Sequence, residues 1–358
     1  MNRIRSCLKP VAGYVILLLA LTGTATSATK QDSAARRPVK VIAEQRVEVK
    51  TAAGNGVLPL YVSRDWTRPQ PDVTRAVVVF HGVVRNADEY LRSAQRALAA
   101  AGDAARTTLL VAPQFMTDQH IVAHKLADNV LHWGAKQESW MAGEAAHGPA
   151  AISSFEAIDA ILARLADRVI FPNLAQVVVA GHSAGGQVVQ RYAVVGRGDA
   201  TLKSADIAVR YVVANPSSYL YFSPDRPDSS GGFAPFSSAV CPGFNRWKYG
   251  WADAPSYAQK NTPAAYEQTY TAREVIYLLG TADTNPNHPV LDKSCAGEAQ
   301  GPHRYARGLA YARYMEMRHP NLNHHVFEVP GVAHDGDKLL TSKCAIAALF
   351  DLPGCAAH

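Results

Sequence analysis

Six short apolar runs constrain this 358-residue chain more than any other feature. They are "TRAVVVFHG" from Thr74, "TTLLVAPQF" from Thr107, "AQVVVA" from Ala175, "DIAVRYVVAN" from Asp206, "REVIYLLG" from Arg273 and "NHHVFEVPG" from Asn323. A strand covered on one face alternates apolar and polar residues, whereas a near-continuous valine-rich run suits a strand buried on both faces. Between the runs the period changes to that of helices: "NADEYLRSAQRALAAAG" with Asn86 at its start and Gly102 past its end, "SSFEAIDAILARLADRV", "AGGQVVQRYAVV" and "HRYARGLAYARYMEMR". Strands alternating with helices require crossover connections, hence an α/β domain with a mostly parallel sheet and helices on both faces. Ahead of them "QRVEVKTA" and "LPLYVSRDW" read as a hairpin turning through "AAGNG".

Two stretches break the rhythm. Residues 116–150 are polar, with Trp133 and Trp140 embedded. Residues 216–271 form a connection far longer than ordinary loops, and hold twelve of the chain's thirty aromatic residues. A long insertion over the carboxyl ends of parallel strands is expected to roof a ligand site as a lid.

The first residues read as an export signal. Arg3, Arg5 and Lys9 precede the apolar Val11–Leu21, and small residues follow, with cleavage expected near Ser27 or Ala28. Eleven apolar residues fall short of the ~20 that span a bilayer, so no stable membrane anchor is expected. The division is then a signal peptide at 1–28, a leader at 29–44, and one domain over 45–358 carrying the two insertions. Three of the 36 basic residues and none of the 30 acidic ones lie in the first 28, which leaves a net charge of +3. No concentrated basic stripe marks a nucleic-acid partner. Four cysteines remain, Cys241, Cys295, Cys344 and Cys355. An even count in an exported chain suggests two disulfides. Proximity favours Cys344–Cys355 and leaves Cys241–Cys295, and the destination is the periplasm or the exterior.

Gly181-His182-Ser183-Ala184-Gly185 matches G-x-S-x-G. Alone the pattern arises by chance in roughly one chain in ten of this length, so context must decide. Here a strand precedes it and a helix follows, as a nucleophile elbow requires. A sharp turn forces the serine into strained backbone angles, and Gly181 and Gly185 remove the collisions that side chains there would cause. A serine hydroxyl is a weak nucleophile until a base takes its proton, and that base needs an orienting carboxylate. Asp283 lies three residues beyond a strand ending at Gly280, and His334 four beyond Pro330. The order Ser183, Asp283, His334 places both partners at strand carboxyl ends. Acyl transfer also needs fixed N–H groups for the oxyanion. Ala184, directly after the serine, and Val83, in the loop "HGVV" after "VVVF", are the expected donors. Competing residues fit less well. Asp335 adjoins His334 too closely in sequence, Asn215 is no acid, His182 is expected to point away along the turn, and His120 with His124 lacks a third metal ligand. No cofactor and no metal are implied.

The HG loop at His81 and Gly82, the GHSAGG elbow, Asp283 and His334 together resemble the α/β-hydrolase superfamily over most of residues 45–350. "HGVVRNADEY" and "QGPHRYARGLAYARYM" resemble a group of exported bacterial and fungal members. HGVV stands where lipases and esterases of the HGGG branches carry their motif. The resemblance implies an eight-stranded, mostly parallel sheet and a serine-hydrolase mechanism. An exported carboxylesterase acting on a small or polymeric ester is the expected function. A serine peptidase or amidase on the same triad is the alternative, and a catalytically inactive binding module the rival of another class. Trp140, Tyr219, Trp247, Tyr249 and Trp251 are candidate substrate contacts, or else they are the insertion's own core. Substrate identity and oligomeric state are left open.

Overall fold

The computed structural model describes residues 37–134 and 140–355. The proposed signal peptide and residues 29–36 of the leader therefore lie outside the described residues. The main sheet has eight strands: β1 Gln45–Thr51, β2 Gly54–Val62, β3 Arg75–Phe80, β4 Thr108–Pro113, β5 Gln176–His182, β6 Ala208–Ala214, β7 Glu274–Gly280 and β8 His324–Val329. Their spatial order is β1-β2-β4-β3-β5-β6-β7-β8. The six strands from β4 to β8 in that order pair in parallel, and the β1–β2 hairpin joins antiparallel at the β4 edge. The hairpin turn is tighter than "AAGNG" suggests. Thr51 already pairs with Gly54, so Ala52 and Ala53 alone make the turn and the following Gly-Asn-Gly is strand. Gly54 takes a φ of 131° there, which glycine alone adopts easily.

The apolar runs are strands for the reason that their composition implies. Along β3, Ala76, Val78 and Phe80 enter one hydrophobic core while Val77 and Val79 enter another. β5 divides Val177 and Val179 from Val178 and Ala180 in the same way, and β7 divides Val275, Tyr277 and Leu279 from Ile276 and Leu278. Side chains alternate across a strand, so a sheet with a core on each side needs apolar residues at every position. Each such valine or leucine contributes about 1.5–3 kcal/mol by leaving water.

Helices of eight residues or more among the described residues are α1 Ala87–Ala100, α2 Ser154–Leu165, α3 Ala184–Val195, α4 Pro263–Ala272, α5 Arg304–Arg318 and α6 Lys343–Phe350. α1 and α6 cover one face, and α2 to α5 the other. Ser153 caps α2 and closes a capping box with Glu156, as the "SSFE" opening suggests. Both disulfides form, Cys241–Cys295 and Cys344–Cys355. No helix among the described residues is long and apolar enough to cross a membrane.

The two insertions differ from their simple reading. In 116–150, Trp133 and Trp140 are fully buried against Phe115, at ring distances of 5.1 and 5.0 Å. In 216–271 most aromatics build core. Tyr219 stacks on Tyr311 at 4.6 Å and Tyr221 packs on Tyr311 and Tyr314. Large aromatic surface is most stable when it is buried, and α5 offers the tyrosines that receive it.

Candidate active site

The elbow lies at the carboxyl end of β5, beside the point where strand order reverses about β3. Such a switch point opens a crevice above a parallel sheet. Ser183 has φ 60° and ψ −116°, a conformation costing of order 1–3 kcal/mol for a residue with a side chain. Its surroundings enforce it. A Cβ on Gly181 would stand 2.4 Å from the Gly185 carbonyl oxygen, and one on Gly185 would stand 2.3 Å from that of Phe80. A Cβ on Gly186 would stand 2.6 Å from the Ala214 carbonyl oxygen, so α3 begins against the sheet.

Three side chains converge from three loops. His334 Nε2 lies 2.9 Å from Ser183 Oγ, and His334 Nδ1 lies 2.7 Å from Asp283 Oδ2. With the proton on Nδ1 donated to the carboxylate, Nε2 is free to accept the serine proton. Ser183 and Asp283 are buried, and the His334 side chain is nearly excluded from solvent. Burial first, then the Arg304 guanidinium and the neighbouring His288 imidazole, hold the His334 imidazole well below its ordinary value. The adjacent carboxylate opposes this. Burial also raises the Asp283 carboxyl, with Arg304 the largest influence in the other direction.

The loop after β3 is braced from below. His81 is fully buried, and burial pushes its imidazole down to about 3. A neutral ring suits its two bonds: Nδ1 donates to the Gly82 carbonyl at 2.8 Å, and Nε2 accepts the Phe115 N–H at 3.0 Å. Arg85 donates to the Val83 carbonyl at 3.2 Å. Val83 and Ala184 both line the cleft that holds Ser183.

That cleft is about 320 Å³. Its remaining walls come from Met141 and Gln187, from Ser217 and Lys248 of the long insertion, and from residues 289–294. None of the five candidate substrate aromatics lines it. Trp140 packs behind the braced loop, 4.8 Å from the His81 ring. Tyr219 is in the tyrosine core on α5. Trp247 donates to the Ala142 carbonyl, and Trp251 stacks on Tyr266 at 5.6 Å. Tyr249 lies one layer back, donating to Asp292 at 2.7 Å. Much of the cleft wall is thus the 289–294 segment, and the insertion, besides lending Ser217 and Lys248, buttresses it through Tyr249 and the Cys241–Cys295 disulfide.

The other candidates have identifiable places. Asp335 caps the short helix Gly336–Leu340, accepting from two of its amides. Asn215 accepts the Gly280 N–H at 3.0 Å and ties the ends of β6 and β7 together. His120 accepts from the Val39 N–H, and His124 meets the Val39 carbonyl. His182 does not simply turn away. Its ring lies 4.6 Å from that of His334, and its Nδ1 meets the Tyr90 hydroxyl at 3.0 Å. Sequence reasoning missed Arg304 altogether. Its side chain is fully buried, 3.6 Å from Asp283 Oδ1. The available signal was an arginine on the inward stripe of α5, in register with Gly308 and Tyr311.

Strand order, elbow and the three loops define the α/β-hydrolase fold. Solved structures that share it include a poly(3-hydroxybutyrate) depolymerase, LpqC, from Bordetella parapertussis, and poly(aspartic acid) hydrolase-1 from Sphingomonas sp. KT-1. The first is 23% identical with a TM-score of 0.57, covering 89% of this chain and 94% of its own. The second is 21% identical with a TM-score of 0.53, covering 85% and 96%. No family model matches the chain, and no curated protein is similar to it.

Proposed function

We propose that the protein is an exported serine hydrolase that cleaves carboxylic esters through an acyl-enzyme. The observation that carries this reading is the unbroken relay from Ser183 Oγ through His334 to Asp283, at 2.9 and 2.7 Å, on a strained elbow. His334 takes the Ser183 proton as the hydroxyl attacks the ester carbonyl. Asp283 holds the imidazole tautomer and stabilises its cationic form. The N–H groups of Val83 and Ala184 receive the oxyanion. His334 then protonates the departing alcohol and later activates the water that releases the acid. Export is supported by the amino-terminal pattern and by two disulfides, which persist in oxidising compartments. Ester cleavage is further supported by the fold likeness to a polyester depolymerase. The test compares turnover of 4-nitrophenyl esters with that of aminoacyl 4-nitroanilides. Ester turnover lost in Ser183→Ala is the expected result. Faster anilide cleavage makes the protein an amidase, and no turnover with ligand binding retained makes it a binding module.

A further inference from the structure

The inward stripe of α5 contains two arginines where apolar residues belong. Arg304, Arg307, Gly308, Tyr311, Tyr314 and Met315 recur at helical spacing, and all are buried. Gly308 brings the stripe hard against β7, since a Cβ there would stand 2.6 Å from Leu279. Burying a guanidinium is costly unless acceptors surround it. Here the acceptors are parts of the site. Arg304 Nε donates to Ser217 Oγ at 3.0 Å and Nη2 to the Val290 carbonyl at 2.6 Å, while Nη1 faces Asp283 at ion-pair distance. Arg307 Nη1 donates to the Ser217 carbonyl at 2.6 Å and to the Asp292 carbonyl at 2.9 Å. Ser217, Val290 and Asp292 all line the cleft beside Ser183. Both arginines thus grip the cleft wall, and only Arg304 also reaches the triad.

We propose that Arg304 is a positioning residue for the reaction: it supplies the counter-charge behind Asp283 and, with Arg307, fixes the cleft wall relative to the triad. This rests on the hydrolase reading of Ser183. The groups that interact with Asp283 are His334, Arg304, His182, His288, His303 and Tyr219. Arg304 alone among them is a permanent cation, since burial lowers it only to about 10. The same positive charge disfavours protonated His334. Removing it therefore raises the pH at which His334 becomes an effective base. It also makes Asp283 harder to ionise, which acts in the same direction.

The test is a pH profile of kcat and KM for 4-nitrophenyl acetate, with active sites counted by fluorophosphonate titration so that misfolded protein does not enter. Arg304→Met is expected to shift the acid limb of kcat/KM upward by about 1 pH unit, the lower end of what a charge within ~4–6 Å does. Arg304→Lys keeps the charge but not the fork, so its limb stays in place while KM rises. Arg307→Met raises KM and leaves the limb unmoved. If Arg304→Met does not fold, the lysine variant decides. An unmoved limb in Arg304→Met, or a wild-type KM or a displaced limb in Arg304→Lys, overturns the proposal. Wild-type protein that neither labels nor turns over overturns the hydrolase reading and this inference together, whereas a labelled wild type with unresponsive variants overturns only the inference.

Discussion

The two sides of the Ser183 cleft are built on opposite principles. On one side, the elbow and the loop after β3 grow from the ends of central strands, and backbone contacts of 2.3–2.6 Å to any added Cβ permit only glycine at 181, 185 and 186. On the other, residues 289–294 lie on a long connection with no strand of their own. Their position comes from side chains: two arginines, Tyr249 and a disulfide. On the proposed reading, chemistry falls to the first side and substrate selection to the second. The relay should therefore be destroyed by small local changes, while the wall should be loosened by distant ones.

The largest expected effect is on the rigid side. Ser183→Ala should lower kcat by about 10⁶ with the fold intact, as checked by ester turnover and circular dichroism. A residual rate within tenfold of wild type would place the chemistry elsewhere. Val83→Pro removes one proposed oxyanion donor and should cost about 10²–10³ in kcat, with KM little changed. An equal loss in KM would instead make Val83 a substrate contact.

The assembled wall should respond differently. A Cys241→Ala, Cys295→Ala double variant should lose about 2–4 kcal/mol of stability and show a raised KM, measured by denaturant melts and steady-state kinetics. Removing Cys344–Cys355, which closes a loop of sequence separation 11 at the far end of the chain, should leave KM alone. Equal KM effects from both would mean that the disulfide at Cys241 does not hold the wall. As the proposed base, His334 would act only when neutral, and its environment lowers its value, so kcat/KM should fall with acidity through a midpoint below 6.5, the ordinary imidazole value. A midpoint above 6.5 would mean that Asp283 outweighs burial and Arg304. The smallest effect is expected at the aromatics. Trp251→Phe should change melting temperature without changing KM, because its ring faces Tyr266 and not the cleft.

The same division explains what the sequence revealed. Strands buried on both faces advertise themselves as valine runs, and an elbow advertises itself through glycines whose replacement would collide with backbone. Asp283 and His334 were legible because a strand end fixes where the following loop begins. The wall was not legible. Its determinants are long-range pairings, such as Arg304 with Val290 and Tyr249 with Asp292, that leave no local period. The aromatics of 216–271 misdirect for a physical reason. Composition reports that large rings will be buried but not against what, and α5 supplies tyrosine partners equally hidden in the sequence. Arg304 and Arg307 were visible only as arginines on an inward stripe, a mark that reads as ordinary charge until the helix face is known.

The central claim is that His334, held by Asp283, makes Ser183 a nucleophile. Its most direct test is to treat the folded protein with a fluorophosphonate and map the adduct by mass spectrometry, alongside His334→Ala. A single adduct is expected on Ser183, which His334→Ala abolishes or slows by orders of magnitude. An adduct on another residue, no adduct, or labelling of Ser183 that is indifferent to His334 would contradict it.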